Sequence, residues 1–288
     1  MRSLMLRSLT IASLLSTSIF ASNYDNKILK YEKRRVSHAL ARVQGKLEAI
    51  NLALKKDIKQ DGWIGYVFTL DMKIKGKTIS QKDFLFAKGN LAAPDLFDIR
   101  TKKSFKDTLF PKLGKEFYNK KYLIAGESDA KHTLILFSDP LCPICLDEVP
   151  DLIEIVKAHP NTFALYYYPM PLNMHPTAKT FVKAAMILHS KGINDVDYKL
   201  YKHNAINFNS AMPIYDQYKE KDNEKALEVF NKIFHSKITM AEINEPKWEK
   251  ELTYLSNMSE KAFVRGTPTL YFDGEIDKSR EKYTKYLK

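Results

Sequence analysis

The sequence predicts an α+β protein of two domains: a small helix-plus-antiparallel-sheet unit, then a larger mixed unit in which a block of helices interrupts a sheet. Three observations carry this. Residues 64–74 alternate strictly, with Ile64, Tyr66, Phe68, Leu70, Met72 and Ile74 on one face, the period of a half-buried strand. Before them, apolar residues recur at steps of four and three, the period of a helix face. Beyond residue 121, strand patterns at 132–138, 161–168 and 267–272 alternate with helical ones. At 288 residues, 44% hydrophobic and 28% charged, the chain can bury two cores and has a globular composition rather than a disordered one.

Taken in order, residues 1–21 read as an export signal. Arg2 and Arg7 make a basic start, Leu9–Phe20 is uncharged and apolar to small-polar, and Ala21 offers a small residue for cleavage. That apolar run is short for a transmembrane span, which needs about 20 residues. Residues 22–100 form the first domain. Asp25 suits a helix N-cap, and Val36, Leu40, Val43, Leu47, Ile50 and Leu54 step by 4, 3, 4, 3 and 4, which predicts one helix to about Lys56. Such a stripe suits either a dimer interface or packing on the domain's own sheet. Turns at Lys75-Gly76-Lys77 and Lys88-Gly89-Asn90 bracket a second strand, 78–87, with Phe84 and Phe86 on one side. Residues 101–121, Lys-rich and amphipathic around Phe105, Leu109 and Phe117, read as a helical linker to the catalytic domain, 122–288.

Chemistry is concentrated in the only two cysteines. The strand His132–Ser138 runs into Asp139-Pro140-Leu141-Cys142-Pro143-Ile144-Cys145. Pro143 suits the first helical position, where its missing N–H is no loss. Cys142 then stands at a helix N-terminus, where free N–H groups and the helix dipole favour a thiolate. Cys145, one turn on, is placed to resolve a mixed disulfide. Two blander readings compete. A purely structural disulfide across so short a ring gains only about 2 kcal/mol, against about 4.7 kcal/mol for a 100-residue loop. A metal site has two Cys at most, and His132, His159 and His175 lack tight ligand spacing, so no metal is expected. Further on, Gly266-Thr267-Pro268 opens a strand ending at Phe272, and Thr267-Pro268 suits a cis peptide beside the thiols.

Strand, CxxC helix, helical insertion, Gly-Thr-Pro, strand and terminal helix together resemble a thioredoxin fold. Phe137–Cys145 is especially similar to the active-site stretch of the periplasmic DsbC/DsbG group of disulfide-bond proteins, and Pro150 sits where such folds kink this helix. The resemblance covers residues 131–288. It implies a homodimer held by the amino-terminal domain, with Cys142 as nucleophile, Cys145 as resolving thiol, and Gly266, Thr267, Pro268, Pro143 and Ile144 around the substrate. It also implies a periplasmic location, misoxidised or unfolded exported proteins as substrates, and a membrane redox partner. No cofactor is needed beyond the Cys142–Cys145 pair. Two departures are informative. Leu136 stands where thioredoxin and DsbA carry a buried acid, and Ile144 replaces the histidine of the DsbA dipeptide, so no cation inside the motif supports a Cys142 thiolate. Asp147 and Glu148 are placed to oppose it.

Isomerase or reductase activity is the expectation, with a DsbA-like dithiol oxidase as the alternative and a chaperone-like binding module as the rival from another class. The excess of 46 Lys and Arg over 34 Asp and Glu, +12 in all, is scattered without a run of five, so a solubilising charge is expected rather than a nucleic-acid partner.

Overall fold

The computed structural model describes residues 23–209 and 223–287. The export signal read at 1–21 therefore lies outside the described residues, as does the helical pattern over 210–222. Helix α1 (Asn23–Ala41) turns Ile28, Val36 and Leu40 onto a four-stranded antiparallel sheet, β1 (Gly45–Asp57), β2 (Ile64–Ile74), β3 (Lys77–Lys88) and β4 (Leu91–Ala93), in that spatial order. Tyr66, Phe68, Leu70 and Met72, the alternating residues of β2, meet α1 on one face of the sheet. Val67, Phe84 and Phe86 point to the other face, against Leu109. Asp25 does not stand before the helix as a cap. It lies in the first turn, where its carboxylate accepts hydrogen bonds from Tyr66 Oη at 2.9 Å and from Lys55 Nζ. Glu32, in the middle of the buried stripe, is fully buried and held by Arg35 at 2.5 and 2.8 Å.

The single helix expected to about Lys56 is two elements. The chain turns after Ala41, with Gln44 at a φ of 54°, and resumes as β1. Leu47, Ile50 and Leu54 satisfy a helical step, but Ile50, Leu52 and Leu54 also alternate. Two register irregularities against β2, at Leu47/Ala49 and Leu52/Leu54, reset that alternation and disguise the strand. Pairing with β2 along its whole length decides between the two periods. The Val36–Leu54 stripe is consequently not one helix face, and Val43 lies half-exposed in the turn.

The linker also differs from its expectation. Residues 97–122 carry a two-stranded ribbon, β5 (Phe97–Asp98) with β6 (Lys103–Ser104), and three short 3-10 turns at 105–109, 115–117 and 120–122. Pro111 and Gly114 interrupt any longer helix. Phe105, Leu109 and Phe117 nonetheless face inward, Leu109 under the first sheet and Phe117 under the second.

The second sheet has the order β11-β10-β8-β9-β7, with β7 (Leu123–Gly126), β8 (His132–Ser138), β9 (Phe163–Pro169), β10 (Thr269–Phe272) and β11 (Glu275–Asp277). Only β8 and β9 pair in parallel, joined by α2 (Pro143–Ala158). Alternate residues serve opposite faces. Leu134, Leu136, Leu165 and Tyr167 pack under α2, through Val149, Ile153 and Val156. Ile135, Phe137, Tyr166 and Tyr168 face α7 (Pro246–Lys261) through Leu252, Leu255 and Met258. Between β9 and β10 runs the expected helical insertion: α3 (Ala178–Ser190), α4 (Val196–Asn209), α5 (Asn223–Phe234), α6 (Met240–Ile243) and α7. In place of the implied terminal helix the chain makes one 3-10 turn, Lys282–Tyr286.

Candidate active site

Strand directions bring the site together. β8 and β9 are parallel, so the loops leaving both lie at one end of the sheet. β10 is antiparallel to β8 and starts at Thr269 opposite Phe137, so the peptide entering it lies at that same end. Cys142 is the N-cap residue of α2 with extended backbone (φ −77°, ψ 123°), Pro143 takes the first helical turn, and Pro150 lies inside the helix. The Thr267–Pro268 peptide is cis. Cys142 Sγ donates to the Thr267 carbonyl at 3.4 Å across a sequence separation of 125.

Both cysteines are free thiols, in different settings. Cys142, only 6% exposed, sits in an open depression of about 660 Å³ lined also by Pro143, Leu172, His175, Arg265 and Thr267. Its thiol is held at about 5, down from an ordinary value near 9. A hydrogen bond from the Cys145 thiol does most of this, opposed by burial. The Thr267 side chain and the backbone N–H groups of Cys145 and Ile144 add to it, the last two being the free donors of the helix N-terminus. The Thr267 hydroxyl is buried and makes no hydrogen bond of normal geometry to the neutral thiol, so it remains available to the thiolate. Cys145 is fully buried, and its thiol is pushed far upward, by desolvation first and then by its bond to Cys142. Ile144 is half-exposed beside the depression, and at Gly266 an added Cβ would meet nothing within 4 Å.

The depressed thiol predicts a pH dependence whose sign follows from linkage. A thiol lowered on folding stabilises the reduced protein in full above its unfolded value, and the gain is lost as the pH falls through about 5. The disulfide form has no thiolate. The melting temperature of the reduced form, relative to the oxidised form, should therefore rise from about pH 4 to about pH 8. Parallel pH profiles for the two forms would contradict the assignment.

Several neighbours escaped the sequence pattern. Asp139, fully buried three residues before Cys142, accepts from Leu141 N at 2.7 Å, Leu172 N at 2.6 Å and His175 Nδ1 at 2.9 Å. Behind Cys145, Ser138 Oγ meets Tyr201 Oη at 2.7 Å, and Tyr201 Oη meets Tyr167 Oη at 3.0 Å. Asn204 Nδ2 donates to Pro140 O at 2.9 Å, so α4 of the insertion braces the loop that carries the thiols. Glu148 does not stand free to oppose the thiolate, because Arg280 holds it with two bonds of 2.6 Å. Arg265 lays its guanidinium 5.5 Å from the centre of the Phe84 ring, so the outer face of the first sheet abuts the loop before Thr267. The parallel β8–β9 pair was the available signal for His175, since it sends residues 170–177 to the thiol end. For Arg280 and Arg265, whose partners lie far away in the sequence, no local signal exists. Among the described residues, no group of three or more His, Cys, Asp or Glu is placed to hold a metal ion.

Residues 118–288 match a family described as thioredoxin. No curated protein matches the chain. Among solved structures, a thioredoxin-like oxidoreductase from Silicibacter pomeroyi is 16% identical, with a TM-score of 0.44 over 57% of this chain and 88% of its own. BdbD from Bacillus subtilis is 18% identical, with a TM-score of 0.44 over 58% and 94%. ScsC from Proteus mirabilis is 22% identical, with a TM-score of 0.41 over 60% and 75%.

Proposed function

The chain belongs to the thioredoxin family, and we propose from that premise that it is an exported thiol–disulfide oxidoreductase of the DsbC/DsbG kind, acting on misoxidised proteins in the periplasm as an isomerase or reductase. The observation that carries this is the Cys142 sulfur, held near a pKa of 5 at a helix N-terminus and against the Thr267 carbonyl, with a buried second thiol one turn away.

The Cys142 thiolate attacks one sulfur of a substrate disulfide. A Cys142–substrate bond forms, the substrate S–S bond breaks, and the departing thiolate takes a proton. Another substrate thiolate can then displace Cys142 and complete an isomerisation. Alternatively Cys145 loses its proton and attacks Cys142, which releases the second substrate thiol and leaves the Cys142–Cys145 disulfide. Two electrons have then passed to the substrate, and a membrane redox partner restores them. Thr267, which lines the depression, and the cis Pro268 that follows it are placed to receive the backbone of the substrate strand.

Direction follows from thiolate stability. Thiolate values run from about 3.5 in DsbA to about 7 in thioredoxin. A value near 5 supports a potential between those of the two proteins, more reducing than DsbA. Insulin reduction and the reactivation of scrambled ribonuclease in a glutathione buffer test this. Rapid oxidation of reduced ribonuclease with no reactivation of the scrambled form would favour the dithiol oxidase instead.

The reading includes a homodimer through residues 23–100. Its support is the edge of β1, thirteen residues long, which among the described residues pairs on one side only, because an unpaired strand edge is a template for a second copy. Light scattering should give twice the chain mass. A concentration-independent monomer mass would remove this part of the proposal.

A further inference from the structure

The CxxC dipeptide supplies no cation, since Ile144 fills the place and points half-exposed to solvent. A histidine ring nevertheless reaches the depression from the loop after β9. We propose that the buried Asp139–His175 pair is a positioning element for the Cys142 thiolate, with His175 supplying as imidazolium the positive charge that the motif lacks. This rests on the reading of Cys142 as the nucleophile.

The geometry is specific. His175 is 6% exposed and lines the same depression as Cys142. Its Nδ1 is 2.9 Å from Asp139 Oδ2, and an acceptor-only carboxylate requires Nδ1 to carry a proton. Asp139 is bound at the same time by Leu141 N, in the loop leading to Cys142, and by Leu172 N, in the loop leading to His175. The carboxylate thus ties the two loops and holds the ring on the depression that Cys142 also lines. A buried carboxylate this close to the nucleophile would by itself disfavour a second anion. Paired with an imidazolium, it does not. Among the described residues, the groups facing His175 include Asp139 on the β8–α2 loop and Cys142 at the start of α2, with Cys145 one turn on. Arg265 lies across the depression and has its guanidinium stacked on Phe84. Burial alone would lower the ring's affinity for a proton. The Asp139 bond and charge outweigh it, and the Cys142 thiolate adds to the rise.

The coupling is reciprocal, because what the imidazolium does for the thiolate, the thiolate does for the imidazolium. Two measurements on the full chain read it without any protein substrate. In the first, histidine ring NMR follows His175 against pH in reduced and oxidised wild-type protein. Its proton affinity is expected to be at least tenfold higher in the reduced form, where the thiolate exists. In the second, absorbance at 240 nm follows the Cys142 thiolate in wild type and in His175→Gln. The variant is expected to need at least tenfold lower proton concentration for the same thiolate fraction. Its equilibrium constant for reduction by glutathione should fall tenfold, about 30 mV toward more reducing potential. An unchanged thiolate titration in a folded His175→Gln protein overturns the proposal. If that variant does not fold, identical His175 titrations in the reduced and oxidised wild type overturn it. Failure of insulin reduction with the coupling intact would instead reject the oxidoreductase reading and leave the pair standing.

Discussion

Cys142→Ser is expected to bring disulfide exchange down to the rate seen without the protein, whereas Cys145→Ser should retain attack and accumulate mixed disulfides with its substrates. The asymmetry comes from environment rather than from sequence order. Cys142 opens onto the depression with a thiol near 5, so it is largely thiolate at neutral pH. Cys145 is fully buried with its thiol pushed far upward, so it acts only once a mixed disulfide has formed beside it. The hydrogen bond from Cys145 is also the largest influence lowering Cys142. Cys145→Ala, which lacks a donor, should therefore shift the pH dependence of Cys142 alkylation upward, while Cys145→Ser keeps a hydroxyl in place. Trapping by electrophoresis under non-reducing conditions reads the first effect, and iodoacetamide kinetics against pH reads the second. Mixed disulfides accumulating on Cys142→Ser instead would reverse the two roles.

Gly126→Ala is expected to destabilise the domain built on the second sheet by at least about 3 kcal/mol, a fall of about 6 °C or more in melting temperature. Two independent causes act at this position. Gly126 ends β7 at a φ of 77°, a conformation that an L side chain resists. Its added Cβ would also fall 1.8 Å from the Phe163 carbonyl oxygen, a backbone atom in β9 that cannot swing aside. Gly192 separates the two causes. It has nearly the same φ, 76°, but an added Cβ there meets nothing within 4 Å, so Gly192→Ala should lose only about 1 kcal/mol. Thermal unfolding of both variants gives the comparison. Equal losses at the two glycines would show that the close approach of β7 to β9 is relieved elsewhere.

Much of the fold was legible because it depends on neighbours in the chain. β2 and β3 are set by alternation and by turns with glycine, and α2 by a strand running into a cysteine-proline start. The strand run of β8 and the Thr-Pro entry into β10 were equally local. β1 departs from its sequence pattern for the opposite reason. Over residues 47–54 a helical period and a bulged strand period both fit, and only pairing with β2, a non-local contact, separates them. The linker misled through its amphipathic spacing, which 3-10 turns with inward Phe105, Leu109 and Phe117 satisfy as well as a helix would.

The sequence by itself determined where the two cysteines stand, their order along a helix N-terminus, and the cis Thr267–Pro268 segment that meets Cys142. Each is a short-range consequence of proline geometry, helix ends and strand period. The tertiary structure alone decided the electrostatic surroundings of that pair. It set His175 on Asp139, Arg280 on Glu148, Arg265 on Phe84 and Tyr201 behind Cys145. These partners lie 36 to 181 positions apart, so no local period records them, the 181 being the span from Phe84 to Arg265. His175 and Asp139 meet because parallel β8 and β9 deliver their loops to one end of the sheet, where the buried carboxylate needs partners, whereas Arg280 comes from the segment after β11, Tyr201 from α4 and Phe84 from the first sheet.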